Sequence, residues 1–272
     1  MMLSPLRLLA FSAATLLPAL AGHAAPTRPQ DVVQAEVLPG WRQADGSHVA
    51  AIRLTLADQW KTYWRAPGDA GIPPSFDWSG SENLAEVTLH WPAPHVFELN
   101  GMRTVGYTRE LVLPLEIRAR NADQPISLRS HVMLGVCRDI CVPVDLRIDA
   151  VLPVTKQPDP AIRAALASGP LDADMAGVKS LRCHVEVIPD GLRVTASFQA
   201  PPLGGRELAV FETPDPSVWV SESDTRREAH GVTASADLVP PPGETLALDR
   251  SRLRITLIGD RGAVDMLGCP AG

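Results

Sequence analysis

Aromatic residues are scarce in this chain, at 5% of 272 residues: six tryptophans, five phenylalanines and two tyrosines. Long basic runs are absent after residue 25, and the formal net charge is −6, which argues against nucleic acid or an anionic membrane surface as partner. Beyond the first twenty residues no apolar run approaches the roughly 20 residues that a bilayer span requires. Heptads, fixed-period repeats and low-complexity tracts are also missing. So are Ser-His-Asp, HExxH, P-loop and paired-carboxylate arrangements, which leaves hydrolase and nucleotide-binding readings without support. Cysteine is limited to four residues. What the chain does have is 26 prolines and 45% hydrophobic residues. That composition disfavours a helical protein yet suffices to bury a core in one large domain or two of ordinary size.

Residues 1–24 read as a secretory signal peptide. Met1 to Arg7 carries one positive charge, Leu8 to Leu20 is uncharged and apolar, and Ala19-Leu20-Ala21 or Gly22-His23-Ala24 supplies small residues for cleavage. The other reading is an uncleaved anchor, for which the apolar run is short. Export places the mature chain in an oxidising compartment, where an even number of cysteines is compatible with two bridges.

The most informative stretch is Met133-Leu134-Gly135-Val136-Cys137-Arg138-Asp139-Ile140-Cys141-Val142-Pro143. Before it, Leu128, Ser130, Val132, Leu134 and Val136 share one parity; after it, Val142, Val144, Leu146, Ile148 and Ala150 do the same. This is the period-2 pattern of two half-buried strands, joined by a three-residue connection. In such a hairpin Cys137 and Cys141 are cross-strand neighbours with Cα atoms roughly 5.5 Å apart. Both fall on the polar parity, so their sulfurs are expected to point away from the core, toward a reaction partner. A bridge closing so short a loop stabilises by only about 2 kcal/mol in the chain-entropy model. A structural staple, a redox-active pair and a metal pair all remain open on local geometry. His131 and Met133 share the outward parity and would complete a soft Cu(I) site with the two cysteines, with His95 and Met102 on loops nearby; both are equally ordinary surface residues.

Upstream, Val32 to Leu38, His48 to Leu56, Leu84 to Trp91, Arg103 to Tyr107 and Leu111 to Arg118 read as further short strands broken by Gly and Pro. The expected fold is all-β, an antiparallel β-sandwich. Between them lies Trp60-Lys61-Thr62-Tyr63-Trp64-Arg65-Ala66-Pro67-Gly68-Asp69, followed by Pro73-Pro74-Ser75-Phe76-Asp77-Trp78.

That aromatic loop, together with Gly135-Val136-Cys137 and Ile140-Cys141-Val142-Pro143, resembles the periplasmic N-terminal domain of the DsbD and ScsB family of thiol:disulfide interchange proteins, over roughly residues 30–155. The resemblance implies an immunoglobulin-like sandwich for residues 25–155. It implies that Cys141 is the attacking thiol and Cys137 the resolving one. It also implies a periplasmic location, electrons arriving from a membrane-embedded donor or a thioredoxin-like protein, and oxidised periplasmic proteins as substrates. Trp60, Tyr63 and Trp64 become candidates for a cap over the cysteine pair, with Phe97 a weaker one; the same three residues read equally well as core anchors, and Trp78 as a core residue. Links to copper tolerance and to cytochrome c maturation come with the family. Two departures stand out. Three residues separate the cysteines, as in ScsB-like relatives, where DsbD has five; and neither the membrane domain nor the thioredoxin-like domain of the full-length proteins is present, so a separate partner must deliver or collect electrons.

Residues 156–272 read as a second β-rich, sandwich-like domain. Asp159-Pro160 starts a short helix over Ala161 to Ala167, with Asp as N-cap and Pro at the first helical position, and the strand pattern resumes at Leu181. Cys183 and Cys269 sit at opposite ends of this region. A bridge between them would close a loop worth about 4.5 kcal/mol in the same model, which favours a structural role; a free Cys269 used between molecules is the alternative. Two function classes follow: a cofactor-free thiol–disulfide exchange protein, or a non-catalytic binding module, holding copper or serving assembly, with an inert bridge.

Overall fold

A computed structural model describes residues 28–99, 101–228 and 231–272; the expected signal segment, 1–24, lies outside them. After a single helical turn, α1 (Pro29–Val32), the first half of the chain contributes β1 (Val33–Arg42), β2 (His48–Leu56), β3 (Lys61–Tyr63), β4 (Ser75–Asp77), β5 (Leu84–Leu89), β6 (His95–Leu99), β7 (Met102–Thr108), β8 (Glu110–Ala119), β9 (Ile126–Cys137) and β10 (Cys141–Leu152). These form two antiparallel sheets, one ordered β1-β2-β8-β5 and the other β10-β9-β3-β7-β6, with β4 also paired to β9. Their facing side chains share one apolar cluster that includes Ile52, Leu115, Ile117, Ile126, Leu128, Val136 and Leu152. The fold is an all-β, immunoglobulin-like sandwich.

The long hairpin β9–β10 follows from its sequence period. Twelve residues on each strand pair in unbroken register from Leu152↔Ile126 to Cys141↔Cys137, and Val132, Leu134, Val144 and Ile148 fill the core side. β10 is a sheet edge, and its outer face, with Asp145, Arg147 and Asp149, is exposed.

A helix, α2 (Pro160–Ala167), follows. Asp159 caps it, its carboxylate accepting from the backbone N–H groups of Ala161 and Ile162 at 2.8 and 3.2 Å. It does more than connect: Ile162 packs with Val49 and Ala51 on the outer face of β2. With the helix on one face of β2 and the sandwich core on the other, residues 48–52 are all buried.

The second half contributes β11 (Leu171–Asp172), β12 (Lys179–Ile188), β13 (Gly191–Gln199), β14 (Leu208–Glu212), β15 (Trp219–Val220), β16 (Asp224–Glu228), β17 (Gly231–Val239), β18 (Arg254–Gly259) and β19 (Gly262–Leu267). One sheet runs β11-β19-β18-β14, the other β12-β13-β17-β15 with β16 also on β17, and they enclose a second apolar cluster. The two sandwiches are not independent beads. Leu208, Ile258 and Ala263 of the second belong to the apolar cluster of the first.

Candidate thiol–disulfide site

Cys137 and Cys141 are bonded across the mouth of the β9–β10 hairpin. The Arg138 N–H donates to the Ile140 carbonyl at 3.0 Å, which makes the cysteines a non-hydrogen-bonded cross-strand pair, the closer of the two antiparallel spacings. Their Cα atoms are accordingly 4.1 Å apart, tighter than expected from the sequence.

The two sulfurs do not share one environment. Cys141 is exposed, whereas Cys137 is 2% exposed. The expectation that both face outward toward a partner therefore needs correction. Cys137 does lie on the outer parity with Met133 and Gly135, but another part of the chain covers it.

That cover has a simple construction. β3 pairs with the free side of β9, Lys61 opposite Cys137 and Thr62 opposite Val136. β4 pairs with the same side, Ser75 opposite Met133 and Asp77 opposite His131. The chain between them, residues 64–74, leaves the sheet and rejoins β9 three residues further along, at Met133. Ile72 from this excursion lies on Gly135, where any Cβ would stand 2.6 Å from that of Ile72; glycine is what lets the excursion lie flat. The Thr62 hydroxyl donates to the Gly135 carbonyl at 3.0 Å. Leu134 through Cys137 are consequently buried on both parities.

The three aromatic residues of this region divide. Trp64 (0% exposed) and Trp60 (6%) belong to the core of the first sandwich. Tyr63, on the opposite parity, points at the disulfide: its hydroxyl donates to Cys137 Sγ at 3.0 Å and lies 3.6 Å from Cys141 Sγ. Burial raises the Tyr63 phenol above its ordinary value, so it stays protonated and remains a donor at neutral pH. Trp60 carries the Arg138 guanidinium 5.4 Å over its ring, while Arg138 also pairs with Asp139 at 2.8 Å. Phe97 is half-buried and touches the site only indirectly: the Lys61 ammonium sits 5.3 Å above its ring and 5.9 Å from the centre of Tyr63. Trp78 is partly buried against the core and stacks on Phe76.

Lys61 is the residue that sequence reasoning passed over. It is the cross-strand neighbour of Cys137, its Nζ donates to Thr104 Oγ1 at 2.8 Å, and burial lowers its pKa. A cation on the face that carries Cys137 favours the thiolate. The signal was available only through the β3–β9 register.

The residues weighed for copper are spread along an open strand face. His131 and Met133 are exposed, His131 Nδ1 is 3.7 Å from Asp145 Oδ1, and both cysteine sulfurs are engaged in their bond. Among the described residues no group of three or more His, Cys, Asp or Glu side chains is arranged to hold a metal, and no helix is long and apolar enough to cross a membrane.

The second bridge, Cys183–Cys269, differs in kind. Both cysteines are buried, at 1% and 2% exposure, inside the second apolar cluster, and the bond spans 86 residues of sequence with a Cα separation of 5.6 Å. Cys137, although buried, belongs to neither large cluster; it is roofed by a tyrosine.

Known proteins share the fold of this chain. The N-terminal periplasmic domain of ScsB from Proteus mirabilis superimposes with a TM-score of 0.67 over 90% of this chain and 97% of that one, at 20% identity. The reduced N-terminal domain of DsbD from Neisseria meningitidis is a more distant structural match, with a TM-score of 0.32, 15% identity and coverage of 46% of this chain and 89% of that one. No curated protein sequence matches the chain. The family model for the N-terminal domain of thiol:disulfide interchange protein DsbD matches residues 30–153, a stretch that contains β1 to β10, the hairpin disulfide and its tyrosine roof. Residues 30–153 of this chain are thus similar in sequence to the N-terminal domain of thiol:disulfide interchange protein DsbD.

Proposed function

We propose that this chain is a periplasmic protein-disulfide reductase or electron relay in which Cys141 and Cys137 are the working thiols. The observation that carries the reading is the asymmetry of the pair: Cys141 is exposed at a hairpin tip, while Cys137 lies under a hydroxyl donor. In the reduced protein the Cys141 thiolate attacks a disulfide of a periplasmic partner. The partner's S–S bond breaks, one partner sulfur leaves as a thiolate that takes up a proton, and a mixed disulfide forms on Cys141. The Cys137 thiolate then attacks Cys141 Sγ, the second partner thiolate leaves, and the Cys137–Cys141 bond remains. Two electrons have passed to the partner. A dithiol donor, either a membrane-embedded protein or a thioredoxin-like one, runs the same steps in reverse to reset the pair, and no bound cofactor takes part.

Tyr63 has two roles in this scheme. It roofs Cys137 against solvent thiols and oxidants, and its O–H stabilises the Cys137 thiolate whenever that sulfur is attacker or leaving group. Trp60 and Trp64 hold the roof from below as core anchors. The Cys183–Cys269 bridge serves as the structural staple of the second sandwich. Residues 1–24 direct export.

The test is trapping with a thioredoxin variant that keeps one active-site cysteine, carried as its thionitrobenzoate mixed disulfide. Cys137→Ala accumulates a mixed disulfide between Cys141 and that cysteine as thionitrobenzoate leaves, because neither chain then holds a resolving thiol, and Cys141→Ala accumulates none. The opposite pattern would reverse the assignment. A wild-type Cys137–Cys141 bond that stays oxidised down to roughly −300 mV, the range of structural bridges, would return the chain to the inert binding-module reading.

A further inference from the structure

Tyr63, Trp64 and Arg65 are consecutive, and each is held by a different part of the molecule. Tyr63 touches both sulfurs. Trp64 is buried in the first core. Arg65 leaves the first sandwich: its guanidinium lies 4.0 Å over the Trp64 ring and makes a two-pronged ion pair with Glu212 on β14, at 2.8 and 3.0 Å. Nη2 also reaches Thr256 on β18 at 3.4 Å. Both members of the pair are only 20% exposed, so solvent screens them less than a surface pair, and the bidentate geometry fixes orientation as well as distance.

A second grip acts on the seat of the excursion. Gly68, at φ +83°, lies so close to the Arg103 carbonyl that a Cβ there would stand 2.9 Å from the oxygen. The guanidinium of that same Arg103 pairs with Glu222 and donates to the Ser223 carbonyl at 3.0 Å. The second sandwich thus holds the start of the excursion directly and its resting place indirectly. Between the excursion and the second sandwich is a cleft of about 680 Å³, lined among others by Pro67, Gly71, Arg103, Phe211, Val218 and Trp219.

We propose that Glu212 is a positioning residue for the disulfide site: through Arg65 it keeps Tyr63 seated on Cys137, so the second sandwich sets how far Cys137 is shielded. This rests on the reading of Cys137–Cys141 as the working pair and gives the second sandwich a part in it. Glu212 touches neither sulfur and acts only through the Arg65-Trp64-Tyr63 triplet.

The test uses the full mature chain carrying Cys141→Ser, in which Cys137 is a lone thiol and Cys183–Cys269 stays bonded. Alkylation of Cys137 by iodoacetamide is followed across the thiol's titration. The midpoint reports acidity, and the high-pH plateau reports exposure of the thiolate. Tyr63→Ala, the control, raises the plateau. Glu212→Gln, which keeps the shape and removes the charge, raises it about tenfold, as loss of about 1.4 kcal/mol of closing free energy would. Arg65→Gln does the same, and the double variant adds nothing further, because the two residues act as one unit. Exchanging the charges, Arg65→Glu with Glu212→Arg, restores a slow plateau and keeps the test decisive if a single variant unfolds. A plateau that Glu212→Gln leaves unchanged while Tyr63→Ala raises it, or that stays fast in the exchanged pair, overturns the proposal. Failure of the thioredoxin trapping experiment would instead sink the functional reading, and the alkylation plateau would still report on the clamp.

Discussion

When a thiolate attacks Cys141, the sulfur that must leave is Cys137, and the nearest donor to it is the Tyr63 hydroxyl at 3.0 Å. A hydrogen bond to a charged group contributes about 1.5–3 kcal/mol, so removing this one disfavours the Cys137 thiolate. Tyr63→Phe, which keeps the ring and therefore the roof, is expected to move the midpoint of Cys137 alkylation upward and leave its plateau near wild type. A midpoint that does not move would show the hydroxyl to be a bystander. The sequence singled out Trp60, Tyr63 and Trp64 together but not which of them meets sulfur. β3 is three residues long, and its facing is set by its register on β9, with Lys61 opposite Cys137. A pairing across 76 positions leaves no local trace. The same register hides Lys61, which in the linear chain is one lysine in a loop.

At the scale of the element, the chain that follows the tyrosine roof is an insertion in a strand. β3 and β4 add to one side of β9 in continuous antiparallel sense, and residues 64–74 bulge out between them. The excursion keeps a backbone tie to β7, the Trp64 N–H donating to the Val105 carbonyl at 3.0 Å and the Val105 N–H to the Pro67 carbonyl at 2.9 Å. Its flat seat depends on Gly135. Gly135→Val puts a branched side chain where a Cβ alone would already be 2.6 Å from the Cβ of Ile72. The expected result is a lifted excursion, a higher alkylation plateau for Cys137 in the Cys141→Ser background, and a loss of about 1–3 kcal/mol in denaturant unfolding, the usual cost of overpacking. A variant with normal stability and a slow plateau would mean that Ile72 is not part of the cover. The hairpin itself was plain in the sequence because period-2 patterning is a local property: β9 and β10 lie where the alternation put them, and the bonded cysteines are the cross-strand neighbours that alternation implies. The burial of Cys137 was not readable, because it comes from residues 63–74, a segment 63–74 positions earlier in the chain that folds over the outer parity. β2 repeats the lesson, with α2 burying one of its faces.

For the whole molecule, the two bridges sit in different surroundings. The Cys183–Cys269 bond lies within an apolar cluster and spans 86 positions, for which the loop-entropy model gives about 4.5 kcal/mol. Replacing both cysteines by alanine is expected to lower the unfolding free energy by about 2–5 kcal/mol, read by denaturant titration, while thioredoxin exchange at Cys141 continues at the wild-type rate well below the new melting temperature. Loss of exchange in a folded variant would contradict the division of labour. The second sandwich was legible as strands and turns, and its helix start at Asp159-Pro160 from capping chemistry alone. Its union with the first was not, since Leu208 and Ile258 carry no mark of which core they will join, and Arg65–Glu212 joins charges 147 positions apart. The strand that carries Cys141 has one further consequence. β10 is a sheet edge whose outward residues include Asp145, Arg147 and Asp149. A second copy laid antiparallel along it and centred on Arg147 would set arginine against arginine and Asp145 against Asp149, repulsions that discourage fibrous self-association at exposed edges. Cys141 and Pro143, beyond the charged run on the same outer face, carry no charge and lie outside that repulsion.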